Sequence, residues 1–148
     1  MNNSESFVTP RDVVFKEILG PHFTKYHLGD NKVLHHFTEA HDEYFHDHPW
    51  CFQSSILWGG YREEEALLLE DGTFQIVTHE RLPDTTHTAK SGTVHKIIQL
   101  LDRDCWTLVV AQPEERKWGF YRADETGVWH RYHDQPDWQL LIPTLQLI

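Results

Sequence analysis

From Phe23 to His133 the chain is a succession of short extended segments, each cut off by turn residues, and that rhythm leaves room for little except a β fold. Phe23–Leu28 and Lys32–Phe37 flank Gly29-Asp30-Asn31, a composition suited to a tight hairpin turn. Phe52–Trp58 runs through Gly59-Gly60 into Tyr61–Leu69, and Asp71-Gly72 turns into Thr73–His79. Thr85–Ala89, Val94–Leu100, Trp106–Gln112, Lys117–Tyr121 and Val128–His133 follow in the same manner. One stretch pulls the other way. Arg62–Glu70 has the composition of a helix, but the glycines that bracket it limit it to hairpin length, and it is expected as a strand. Many short strands with turns between them indicate an all-β sandwich or barrel.

The ends differ from the centre. Thr9 is suited to cap a helix, Pro10 to its first position and Gly20-Pro21 to its stop, so a short helix is expected over 9–20. Residues 1–8 are polar and expected to fray. Residues 138–148 are apolar and must dock, either on the chain's own barrel or on a second copy, which makes a homodimer an expectation. With 148 residues the whole chain, 1–148, is expected to form a single domain, its barrel spanning 23–133.

Charge and cysteine content narrow the partners. Thirteen Lys and Arg against 23 Asp and Glu leave a formal net charge of −10. Nucleic acid and anionic membrane surfaces both need a basic face, so neither is an expected partner. A small anionic molecule remains admissible, because a bound cation inverts the local field. No apolar run approaches the roughly 20 residues of a membrane helix. The N-terminal residues lack the pattern of a secretory signal, and Cys51 and Cys105 form no disulfide framework. A cytoplasmic location is the expectation.

Twelve histidines are many for this length, and His46-Asp47-His48-Pro49-Trp50 concentrates the interest. In extended backbone the residues at i and i+2 share a face, so His46 and His48 present two imidazoles side by side. Pro49 withholds a ladder donor and favours irregular backbone of the kind found at a barrel rim. His95, after Gly92-Thr93-Val94, is the best third partner. Three neutral imidazoles with open positions suit a divalent transition metal ion: Fe, Mn, Ni, Co, Cu or Zn. Beyond Gly59-Gly60, alternation places Tyr61 and Glu63 on one face. Turned inward they could supply a proton donor and a base beside the metal; turned outward, Glu63 to Glu65 would be a solvated acidic face.

These residues resemble the two motifs of the cupin superfamily. The first, Gly, five residues, His-x-His, three or four residues, Glu, six residues, Gly, falls on His46, His48, Gln53 and Gly60, with Ala40 at the leading glycine and Gln53 where the family has Glu. The second, Pro-x-Gly-x-x-His-x-x-x-Asn, falls on Lys90-Ser91-Gly92-Thr93-Val94-His95 with Gln99 at its end. The chain is also similar to small bacterial and phage cupin-like proteins carrying His-x-His-Pro-Trp, Gly-Gly-Tyr-x-Glu, a later His, and Trp-Gly-Phe, here Trp118–Phe120. The resemblance implies a double-stranded β-helix, or jelly-roll, barrel with a short N-terminal helix. It implies a metal at His46, His48 and His95, with Gln53 as a fourth ligand through its carbonyl, or Glu63 bending in instead.

Several histidines have plainer readings. His35 and His36 are adjacent, so one faces in and one out. His41-Asp42-Glu43 offers a competing His-x-Glu pair. His87 reads as a surface or inner-wall residue, Cys51 as a buried inert thiol, and Trp106, Trp118 and Phe120 as core. Three functions follow: a metal-dependent enzyme on a small molecule (an oxygenase, or an isomerase or lyase), a non-catalytic ligand-binding or regulatory barrel, and a metal-free sugar-nucleotide epimerase-like protein. The last would need Lys90, Lys96, Arg116 and Lys117 to form a basic pocket.

Overall fold

The structure, a computed structural model, describes residues 10–145. The expected fraying of 1–8, the Thr9 cap and the last three residues of the apolar tail lie outside the described residues. Within them the chain forms thirteen strands: β1 (Phe15–Gly20), β2 (Phe23–Gly29), β3 (Lys32–Phe37), β4 (Phe45–His46), β5 (Phe52–Trp58), β6 (Tyr61–Leu68), β7 (Phe74–Arg81), β8 (Thr86–Ala89), β9 (His95–Leu100), β10 (Cys105–Ala111), β11 (Gly119–Asp124), β12 (Gly127–Tyr132) and β13 (Gln139–Pro143). They make two antiparallel sheets, ordered β1-β2-β3-β10-β5-β8 and β13-β12-β11-β4-β9-β6-β7. Strands remote in sequence become neighbours in both, which is the jelly roll expected above. Among the described residues no helix is long and apolar enough to cross a membrane.

The expected helix over 9–20 is not formed. Pro10–Asp12 make one 3-10 turn, and Phe15–Gly20 is a strand laid on β2, with Phe15 opposite His27 and Ile18 opposite Thr24. A lone helix of that length is marginal in water. Val13, Val14 and Ile18 are β-branched, and the free edge of β2 offers a hydrogen-bond ladder that begins with the Val14 N–H on the His27 carbonyl at 2.7 Å. The helix-like stretch at Arg62–Glu70 does become strand β6, paired on both sides by β7 and β9.

Alternation sorts the side chains. On β10, Cys105, Thr107 and Val109 are buried, and on β5 Ser54 and Ile56 are, so these face the barrel interior. Phe37, Ile56, Tyr61 and Cys105 form the inner core with Phe23, Ile97 and Leu100 packed around it. A smaller core of Ala66, Val94 and Tyr121, with Phe45, Leu68 and Phe74, covers the other face of the seven-stranded sheet. Trp106 does not join the inner core. It sits one residue out of phase with Cys105 and Thr107, and stacks on the outer face against His36, centroids 4.0 Å apart. Gly59 turns β5 into β6 at φ 82°, and a Cβ there would run into the Asp104 carbonyl. The apolar tail docks on its own barrel, as β13 beside β12.

Candidate metal centre

The first two imidazoles are placed by β4, a two-residue strand wedged between larger ones. His46 pairs with Phe120 of β11 on one side and with His95 of β9 on the other. Because side chains alternate, Asp47 points away from its two neighbours, and it is wholly buried. Its carboxylate accepts from the Gly119 N–H at 2.8 Å, the Tyr121 hydroxyl at 2.7 Å and Arg116 Nη2 at 2.9 Å. The backbone is stitched as well: the Asp47 N–H donates to the Gly119 carbonyl and the His48 N–H to the Ser91 carbonyl. On the far side, Asp42 Oδ2 accepts from the Ile97 N–H at 2.9 Å, which ties down β9.

The result is a compact triad. The ligand atoms of His46, His48 and His95 all lie within 4.8 Å of one another, and the ring centroids are 4.8–5.1 Å apart. Burial and the neighbouring His95 pull the His46 pKa down to about 4, and the same two causes hold His48 well below its ordinary value. Neutral imidazoles with free lone pairs are what a metal requires. His95 Nδ1 lies 2.7 Å from Glu63 Oε2, so its Nε2 is the ligand atom. That Nε2 and His48 Nδ1 are buried without a hydrogen-bond partner. Two orphaned ring nitrogens on members of a three-histidine cluster fit a transition metal ion, and a carboxylate behind a histidine is the usual way such a ligand is oriented.

No protein-family model and no curated protein matches the sequence. Solved structures do match. The chain superposes on the Drosophila melanogaster CENP-C cupin domain with a TM-score of 0.53 and 13% identity, over 72% of this chain and 80% of that one. On Drosophila melanogaster CENP-C bound to CAL1 the values are 0.54 and 12%, over 73% and 82%. The chain has the cupin fold. A looser likeness, TM-score 0.48 and 13% identity, is to oxalate oxidase in complex with the substrate analogue glycolate; it covers 60% of this chain and only 44% of that one.

The other expected site residues fall less simply. Glu63 is buried and faces inward, but both its oxygens are taken: Oε2 by His95 and Oε1 by Arg81 Nε at 2.7 Å. Burial alone would raise its pKa; the bonds from His95 and Arg81 outweigh that and hold it at about 2. Both oxygens of the carboxylate are thus engaged within the protein. Tyr61 is packed in the inner core against Phe37, Ile56 and Cys105, outside the cavity lining, and its hydroxyl is pushed far up by burial and the nearby Glu63. Gln53 is exposed and belongs to the outer face of β5, opposite Thr88 and Val110; its neighbour Phe52 places a ring 4.8 Å from His48 instead. The strand's pleat sets Gln53 out of phase with the buried Ser54, so that it stands exposed at the rim of the cavity.

Beside the triad lies a cavity of about 560 Å3, with Glu63, Arg81, His87 and His95 in its wall and the exposed Gln53, Lys90 and Gln112 at its rim. His87 is an inner-wall residue: β8 sets it opposite Ser54, and burial with the Arg81 charge lowers its pKa to about 4. Its Nδ1 has no hydrogen-bond partner. His35, not His36, faces in; burial and Lys25 take its pKa to about 3. Cys51 is half-buried and donates to Glu115 at 3.3 Å, and Trp118 and Phe120 are half-buried on the side of His46. Asp42 of the competing His41-Asp42-Glu43 set serves the backbone of β9, and that set joins no cluster suited to a metal among the described residues. The four basic residues do not converge: Arg116 is paired with Asp47, Lys117 with Asp134, and Lys96 lies over Phe45.

Sequence reasoning passed over Arg81 and Asp47. The hairpin through Asp71-Gly72 gave the means to find the first, since its register sets Arg81 opposite Tyr61 and hence inward. Nothing in the sequence pairs Asp47 with Arg116.

Proposed function

We propose that the chain is a metal-dependent cupin acting on a small molecule, with a divalent transition metal ion held by His46, His48 and His95. The observation that carries this reading is the triad itself: three imidazoles whose ligand atoms lie within 4.8 Å, two of them with orphaned buried nitrogens, opening on a cavity. An imidazole set suits Fe, Mn, Ni, Co, Cu or Zn. Such an ion would supply Lewis acidity towards an oxygen of the substrate, or oxygen activation where it is redox-active, which fits an oxygenase or an isomerase or lyase. The chain's own groups have definite tasks. Glu63 fixes the ring of His95 and its tautomer, with Nδ1–H directed at the carboxylate. Arg81 holds Glu63 ionised. Phe52 packs its ring 4.8 Å from that of His48 and flanks that side of the site.

The test is elemental analysis of untagged protein beside His48→Ala. One equivalent of a transition metal in the native protein and none in the variant, with unchanged circular dichroism, is the expected result. Stoichiometric metal retained by the variant would refute the assignment.

A further inference from the structure

The wall of the cavity next to the triad carries a second set of groups that the triad does not use. Arg81 gives one of its five N–H donors, Nε, to Glu63, and the residue forms part of the cavity wall. His87 stands on the inner face of β8 with Nδ1 buried and unpartnered. Lys90, at the rim on the same side, is exposed. Both acids of the lining are already satisfied: Glu63 by His95 and Arg81, Glu65 by His79 at 3.0 Å. With both carboxylates engaged, the charged groups left for a visitor are the cations Arg81 and Lys90, beside His87 and neutral amides and hydroxyls such as Gln53 and Thr88.

The geometry points to an anion subsite formed by Arg81 and His87, which grips a carboxylate of the substrate while the substrate's other end lies at the three-histidine centre. This deepens the metal-dependent reading and rests on it for the placement of the second end. Arg81 suits a carboxylate because its planar fork matches two oxygens, and the neutral ring of His87 can add a third bond through its N–H. A single guanidinium already engaged by Glu63 matches a carboxylate monoanion better than a phosphate dianion. A volume of about 560 Å3 holds a small organic acid with room to spare. Arg81 also steadies Glu63, so its removal would disturb the metal site, and His87 is the cleaner handle.

The experiment is calorimetric titration of malonate, and of its uncharged analogue malonamide, into native protein and His87→Ala, each assayed for metal content and melting temperature. Expected are equal metal content and folding, malonate binding at least about tenfold weaker in the variant, the loss of one charge-assisted hydrogen bond, and no malonamide binding. Equal malonate affinity in the two proteins, or malonamide binding as well as malonate, overturns the subsite while leaving the metal centre standing. If the native protein carries no metal, the metal reading fails separately. The subsite is then judged on the metal-free protein: malonate binding that depends on His87 upholds it, and its absence ends it.

Discussion

Two carboxylates govern the centre without touching a metal, and each makes an expectation at the scale of single residues. Asp47 is buried with three donors on it. Asp47→Ala leaves Arg116 and the Tyr121 hydroxyl without their acceptor and should cost about 3 kcal/mol of stability, read as a lower urea midpoint, with Asp47→Asn losing less. An unchanged midpoint would show that the network is idle. Glu63→Gln keeps the shape but not the charge facing His95, and metal affinity should weaken about 10- to 100-fold, measured by competition with a chelator. The triad was legible in the sequence because His46, Asp47 and His48 stand at adjacent positions of an extended segment, and pleating alone puts the two rings together. Glu63 was legible as an inward residue, but its role was not, since Arg81 closes on it only through the β6–β7 register.

At the scale of elements, β5 separates what a spacing can say from what it cannot. The strand's limits were readable from Phe52 and from Gly59-Gly60, and Gly59→Ala should destabilise by more than about 1 kcal/mol, because both the φ of 82° and the Asp104 carbonyl oppose a Cβ. A melting temperature equal to that of the native protein would contradict this. The face of Gln53 was not readable: only the pairing with β8 and β10 shows that Phe52 and Ser54 occupy the interior. Gln53→Ala should therefore leave metal content and affinity unchanged, and a fall in stoichiometry by elemental analysis would return it to the ligand set. The misread N-terminal segment has the same origin. Thr9, Pro10 and Gly20 carry helix signals locally, but the open edge of β2 is a partner that no local signal reveals.

Over the whole molecule the buried histidines set the response to acid. His35 at about 3, His46 at about 4 and His87 at about 4 are all below the ordinary value of 6.5 they regain on unfolding. The unfolded chain therefore binds more protons between pH 6.5 and the folded values, and stability is full above about 6.5 and falls as pH drops through that window. Glu63, lowered to about 2, adds a further loss below about pH 4.5. Metal-free protein should be less stable at pH 5 than at pH 7.5, by on the order of 1 kcal/mol for each of His35 and His46 and by less for the half-buried His87, read as a lower urea midpoint. A midpoint that is flat across this range would mean that these rings are hydrated and free to protonate.

X-ray absorption at the K-edge of the bound metal reports the donor atoms themselves. The account requires three imidazole nitrogens at about 2.1 Å, with the remaining positions filled by lighter oxygen or nitrogen donors and no sulfur. A sulfur shell from Cys51, or fewer than three histidine rings in the outer scattering, would contradict it.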